Sequence, residues 1–293
     1  MREDHSNKAG CWATAFARFS RHQGLLRRLP LRFALAALAL AVAPATSTAA
    51  ADELGPFLAV HQKAGALGAE KKWTEAAKAY GAFAAERPQD PCAPLASALQ
   101  GIILRRELKD AAGARVAFAR AAAAPETLFG RAVRELARGW LARLQMEELN
   151  AALRRYWVDR VEYPEKLDAL VAKKLIAPEL LADPWGKPWV YATGTLKIAP
   201  KLPRQAYSLS CSAIEGDSRD IQRFLDATVP FAMRFQLRGT GGKPLSALIG
   251  FEDKAKKPVN VAEGEKVGGA TLVKLTPQGA ILIEGGAVAV LAR

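Results

Sequence analysis

With 293 residues, half of them hydrophobic, the chain is long enough for two domains or three small ones, and it has ample material to bury their cores. The net charge is +13, of which +5 falls before Asp52, and the remaining +8 is spread along the sequence without a basic run or an interleaved aromatic stripe. This favours a solvated basic surface, open to an acidic partner or anionic lipid, over a nucleic-acid interface.

Residues 1–51 read as a targeting segment. Arg27, Arg28 and Arg32 form a basic stretch, residues 33–43 an apolar run of signal-peptide length, and Ala49-Ala50-Ala51 before Asp52 a small-residue cleavage site. An uncleaved inner-membrane anchor is the alternative, although Pro44, Thr46, Ser47 and Thr48 weaken the segment as a span. Residues before Leu25 fit neither pattern, which suggests a start further along. The expectation is a periplasmic protein, with cleavage preferred to a retained anchor. Cys11 lies in this segment, so Cys92 and Cys211 would meet an oxidising compartment. They fall in different expected domains, and two buried small hydrophobes are expected before a disulfide.

Residues 52–128 carry two helical repeats. One run holds Ala64, Leu67, Ala76, Tyr80 and Pro88, and the next Ala98, Ala114, Phe118, Ala121 and Pro125. Ala76 and Ala114 would let paired helices approach closely. Tyr80 and Phe118, four residues later, would fill the same face, and each proline would stop its helix. The pattern resembles tetratricopeptide repeats, with a period of 38 residues where ~34 is usual. An ordinary helical hairpin bundle remains the other reading. Two repeats stack poorly alone, so they should pack on the next helix or on a partner.

Residues 129–228 begin with a long helix to about position 160, with Val133, Leu136, Trp140 and Leu144 on one stripe and Leu149, Ala152, Leu153 and Tyr156 on another. Tyr163-Pro164 follows, then Asp183-Pro184-Trp185-Gly186-Lys187-Pro188-Trp189-Val190-Tyr191. Pro184 and Pro188 fix φ, Gly186 permits a positive φ, and Asp183 initiates a turn. Trp185, Trp189 and Tyr191 are expected to alternate into a short strand, and Ala206-Tyr207-Ser208-Leu209-Ser210 into a second.

In this order, over residues 136–224, the sequence resembles the C-terminal globular domain of the major pseudopilin (protein G) of type II secretion systems. The resemblance implies structural roles for Tyr163, Pro164, Asp183, Pro184, Trp185, Gly186, Pro188, Trp189, Tyr191 and Tyr207. Members of that family hang their domain from a membrane helix that opens with a processed Gly-Phe and a nearby Glu. No such motif occurs in this sequence, so processing by a prepilin peptidase and polymerisation as a pilin subunit are not expected. The family also holds calcium in the loop after its second strand, which corresponds here to Glu215, Asp217 and Asp220, without the family's Gly-Ala-Asp-Gly run. Calcium ligation is one reading of these residues. A solvated acidic turn capping the next helix is the other.

Residues 229–293 read as a small all-β module. Segments 235–237, 248–251, 271–275 and 280–283 alternate or run apolar, separated by Gly264, Gly268-Gly269 and Gly285-Gly286. The glycine and aliphatic frame resembles the periplasmic homology region of secretion protein C and of the pilus lipoprotein PilP, which binds a secretin. An unrelated small barrel is the alternative.

Catalytic signatures are weak. His61 is the only histidine after the targeting segment and has no Cys or His at zinc spacing and no Gly-x-Ser-x-Gly elbow. In Gly239-Thr240-Gly241-Gly242-Lys243-Pro244, Pro244 stands where a phosphate loop needs Ser or Thr, so a hairpin turn is expected. The expected fold is thus α+β, with helical repeat hairpins, then a long helix with a small antiparallel sheet, then the β module. The expected function is a non-catalytic periplasmic scaffold or adaptor of a type II secretion or type IV pilus-like system. Its partners would be pseudopilins and the secretin, not nucleic acid, and it would be peripheral to or anchored in the inner membrane. The alternative is a cell-envelope hydrolase using paired carboxylates such as Glu162 with Glu165, or Glu252 with Asp253.

Overall fold

The computed structural model describes residues 54–199, 202–214, 224–226 and 234–293. The fold is α+β, with helices first and small antiparallel sheets last. Helices α1 (Gly55–Ala69), α2 (Trp73–Glu86), α3 (Ala93–Arg106) and α4 (Ala111–Ala122) form two hairpins that pack side by side. Prolines sit in the first turns of α1 and α3, where a missing N–H removes no helical bond. Asp110 caps α4 by accepting from Gly113 N at 2.8 Å. Ala76 and Ala114 are fully buried, with Tyr80 and Phe118 filling the space beside them. The small-then-large pairing expected from sequence is therefore how these hairpins close.

Helix α5 (Leu128–Arg160) follows, capped by Thr127 Oγ1 accepting from Gly130 N at 2.9 Å. Its 33 residues span about 50 Å at 1.5 Å per residue. Phe129, Val133, Leu136, Ala137, Trp140 and Leu144 join the core of the hairpins. Ala142, Met146, Leu149, Ala152 and Leu153 serve a second core, with Leu170, Leu180, Trp189 and Leu209. One helix thus supplies both cores from stripes that change face midway. A short helix α6 (Asp168–Ala172) and a 3-10 turn (Pro178–Leu181) lead to a hairpin of β1 (Val190–Ala199) and β2 (Leu202–Ser210).

The β module holds two sheets. One is β3 (Phe235–Gly241), β4 (Ser246–Phe251) and β5 (Val259–Ala262). The other is β6 (Lys266–Val267), β7 (Ala270–Thr276), β8 (Gly279–Glu284) and β9 (Ala287–Ala292). The turn between β3 and β4 contains Gly242, Lys243 and Pro244, a hairpin as expected. Strands β5, β6 and β9 were not expected. β6 has only two residues, and β9 (Ala-Val-Ala-Val-Leu-Ala) is rich in alanine, a poor strand former. Phe235, Ile249, Val261, Leu272, Leu282 and Ala289 fill the space between the sheets.

The other face of the four-stranded sheet is also covered. Val273, Ile281 and Ile283 belong to the same core as Phe57, Leu95, Phe118 and Trp140. β8 is consequently buried on both faces, which explains why it reads as a continuous apolar run. Helix α1 packs on β9 and α5 on β7. The helical hairpins therefore pack on α5 and on the chain's own sheet. Among the described residues no helix is long and apolar enough to cross a membrane.

Candidate functional site

The corner at positions 183–189 is built around a buried carboxylate. Asp183 is 4% exposed. Its Oδ1 accepts from Trp185 N and Lys187 N, both at 2.9 Å, and its Oδ2 accepts from Cys211 Sγ at 3.1 Å. Its own N–H donates to Lys187 O at 2.7 Å, and its carbonyl accepts from Gly186 N at 2.9 Å. Gly186 has φ +78°, the left-handed region that glycine adopts without strain. Pro188, exposed, faces Ala182 in an isolated bridge that closes the turn. These bonds draw Trp185 into the turn, so neither Trp185 nor Trp189 lies in a strand; β1 starts at Val190. The Asp183 side chain and Pro184 outweigh the apolar alternation here.

The corner docks on α5 through its indoles. Trp185 Nε1 donates to Glu135 Oε2 at 2.8 Å, and the buried Trp189 donates its Nε1 to Leu180 O at 2.8 Å. Beyond it the rings of Trp157, Tyr163, Tyr207 and Tyr191 adjoin in sequence, with centroids 6.4, 4.6 and 6.3 Å apart. Tyr191 Oη donates to the carbonyl of the buried Pro164 at 2.7 Å, and Tyr207 Oη donates to Asn150 Oδ1 at 2.9 Å. Tyr163 N is bonded to Gln205 Oε1. Burial, reinforced by the neighbouring tyrosines, pushes the Tyr191 pKa up. The motif residues are thus strung along α5, with Trp185 at Glu135 near its start and the tyrosines at Asn150 and Trp157 toward its end. This arrangement can mount a hairpin rigidly. Burial also pushes the Cys211 thiol up to about 11, which keeps it protonated and unreactive.

Glu215, Asp217 and Asp220 lie outside the described residues. Among the described residues no group of three or more His, Cys, Asp or Glu side chains could hold a metal ion. Glu162, Glu165, Glu252 and Asp253 are exposed on turns. Cys92 and Cys211 are both free and buried. His61 Nδ1 shares a 2.7 Å hydrogen bond with the Tyr80 hydroxyl inside the first hairpin.

Sequence reasoning missed the junction around Trp140. This side chain stacks on Phe118 (5.3 Å), meets Phe224 edge-on (5.0 Å) and donates Nε1 to Gly286 O at 2.9 Å. The Arg143 guanidinium lies 3.5 Å over the Phe224 ring, and burial lowers its pKa to about 10. A Cβ at Gly286 would fall 2.3 Å from Phe224, so any larger residue would have to displace that ring. The helical stripe did mark Trp140 as buried, but nothing in the sequence pairs it with residues near 224 and 286. A cleft beside it, bounded by Arg105, Arg143 and Glu147, has room of about 10 Å³, enough for water alone. A shallow open groove of about 390 Å³ lies along Gly239, Gly241, Ser246, Leu248 and Asn260.

No protein-family model, curated protein or solved structure matches the chain.

Proposed function

We propose that the protein is a non-catalytic scaffold of the cell envelope, exported to the periplasm, that serves a type II secretion or type IV pilus-like machine and contacts its pseudopilins and secretin. The observation that carries the reading is the Asp183 corner. The quoted motif residues form one inward-bonded mount that fixes a β-hairpin to a long helix, which suits a rigid adaptor better than a reactive cleft. The continuous core from α1 through α5 to β8 supports the same reading, because it would transmit position between binding surfaces at either end. The outer face of β3–β4–β5, where Leu248 is exposed, is a surface that a partner could use.

Affinity capture from an envelope extract, with the full chain as bait, tests this. Recovery of a secretin or a pseudopilin, lost when Asp183→Ala loosens the corner, is the expected result. Recovery of neither overturns the reading.

A further inference from the structure

Strand β5 stands at the edge of its sheet, with Val259 opposite Ile249, Asn260 opposite Leu248, Val261 opposite Ala247 and Ala262 opposite Ser246 on β4. Its last residue fixes which backbone groups point outward. Ala262 N donates to Glu265 Oε2 at 2.8 Å, and Ala262 O accepts from Glu265 N at 3.1 Å. Both groups therefore turn away from β4, and alternation along the strand turns the N–H and C=O of Asn260 the same way. Asn260 is exposed, and Val259 is 45% exposed. All four residues of β5 are uncharged and two are valines, so the strand carries none of the charges that commonly guard an edge. The open stretch is short. Pro258 has no N–H to offer, and the Glu265 turn closes the other end.

The two ends of the strand carry opposite charge. Lys256 and Lys257 precede it, Glu263 and Glu265 follow it, and all four are exposed. A strand with a basic start and an acidic end is complementary to itself when turned through a two-fold axis. With the axis at Asn260, antiparallel register sets Asn260 against Asn260, Val259 against Val261 and Lys257 against Glu263 of a second copy. Each of these pairs lies on one face of the sheet, where β-branched and opposite-charge pairs stabilise. The two Asn260 residues exchange both of their outward backbone bonds, and each Val259 gains a cover. We propose that β5 is a homodimerisation edge, at which two copies of the chain join antiparallel into a six-stranded sheet. A second copy meets the backbone, apolar and charge demands of this edge together. The assignment does not rest on the secretion reading; a monomeric chain would overturn it and leave that reading standing.

Sedimentation equilibrium of the full chain, with hydrogen exchange at the Asn260 amide, tests it. The expected result is a monomer–dimer equilibrium in which that amide becomes protected as concentration rises. Lys257→Glu alone, or Glu263→Lys alone, sets like charges opposite each other twice per dimer and should weaken association on the order of tenfold. An equimolar mixture of the two variants should restore it, because each copy then meets an opposite charge at both ends. Raising salt from roughly 50 to 500 mM should weaken the natural dimer. Glu263 also accepts from Leu275 N at 2.9 Å, so thermal melting checks that its lysine variant folds. If it does not, Asn260→Pro takes its place, since it removes only the outward donor and should give a monomer. Unchanged association in Lys257→Glu, or a mixture of folded variants that stays as weak as its components, overturns the proposal. So does a chain that remains monomeric up to roughly 500 µM, or an Asn260 amide whose protection is the same at every concentration. That last outcome would mean that the chain itself covers the edge.

Discussion

Trp140 Nε1 and the carbonyl of Gly286, 146 positions apart in sequence, are joined by a 2.9 Å hydrogen bond inside the core. The bond ties the middle of α5 to the turn between β8 and β9, where Phe118 and Phe224 also converge on the indole. Trp140→Phe keeps most of the ring and leaves the carbonyl without this donor, which should cost about 1–3 kcal/mol. Trp140→Ala adds a cavity and should cost about 3–5 kcal/mol. Urea unfolding followed by circular dichroism measures both. A loss below about 0.5 kcal/mol for the phenylalanine variant would mean the bond contributes little.

Asp183 should be the most sensitive position of the corner. Asp183→Ala strands Trp185 N and Lys187 N and removes the acceptor of the Cys211 thiol. Buried unpaired donors cost about 1–3 kcal/mol each, so the melting temperature should fall by several degrees. Gly186→Ala isolates the backbone effect, since a Cβ there meets nothing within 4 Å yet φ is +78°. Its cost should be only about 1–2 kcal/mol. Equal losses in the two variants would argue against the carboxylate as the organiser of the turn.

Local chemistry explains what was legible in the sequence. Ala76 with Tyr80, Ala114 with Phe118, and Gly186 between two prolines each state their backbone or packing demand within a few residues, and the structure meets each one. Long-range partnerships had no such signal. Ile281 and Ile283 gave a strand, but nothing adjacent says that their face meets the helical core rather than solvent. Trp185 was misassigned because the alternation Trp185, Trp189, Tyr191 carries no information about an aspartate that captures two amides. At the candidate site, residue identity was readable and mutual geometry was not. The same amino acids would serve an exposed aromatic surface as well as a packed mount.

Val161 ends α5 in a strained state. It is a β-branched residue at φ +62°, 74% exposed, and its N–H donates to Trp157 O at 2.7 Å. Glycine is the usual occupant of this left-handed cap. Val161→Gly should therefore stabilise the chain by about 0.5–1 kcal/mol, as released strain exceeds the added freedom of the unfolded state. Val161→Ala should gain less, because a Cβ remains. Thermal melting of the two variants checks the order. A destabilised glycine variant would show that the valine side chain makes a contribution larger than its strain.

His61 predicts an acid-sensitive first hairpin. The ring is half-buried, stacks on Phe57 with centroids 6.0 Å apart, and shares its bond with Tyr80. Burial lowers its pKa from 6.5 to about 4. Between these values the unfolded chain holds a proton that the folded chain rejects. The stabilisation is thus complete above pH 6.5 and is lost as pH falls through the window to about 4. At about 1.4 kcal/mol per unit the loss is ~3.5 kcal/mol at most. Tyr80 sets the opposite limb, since burial raises its pKa and stability should drop as pH climbs above about 10. Phe57 carries the effect onward, because it is fully buried in the core that also holds Ile281 and Ile283. Urea unfolding at steps of pH would show His61→Leu with a shallower slope than the natural chain across the acid window. Identical slopes would mean that the histidine already titrates normally in the folded protein, and that its hydrogen bond to Tyr80 opens readily.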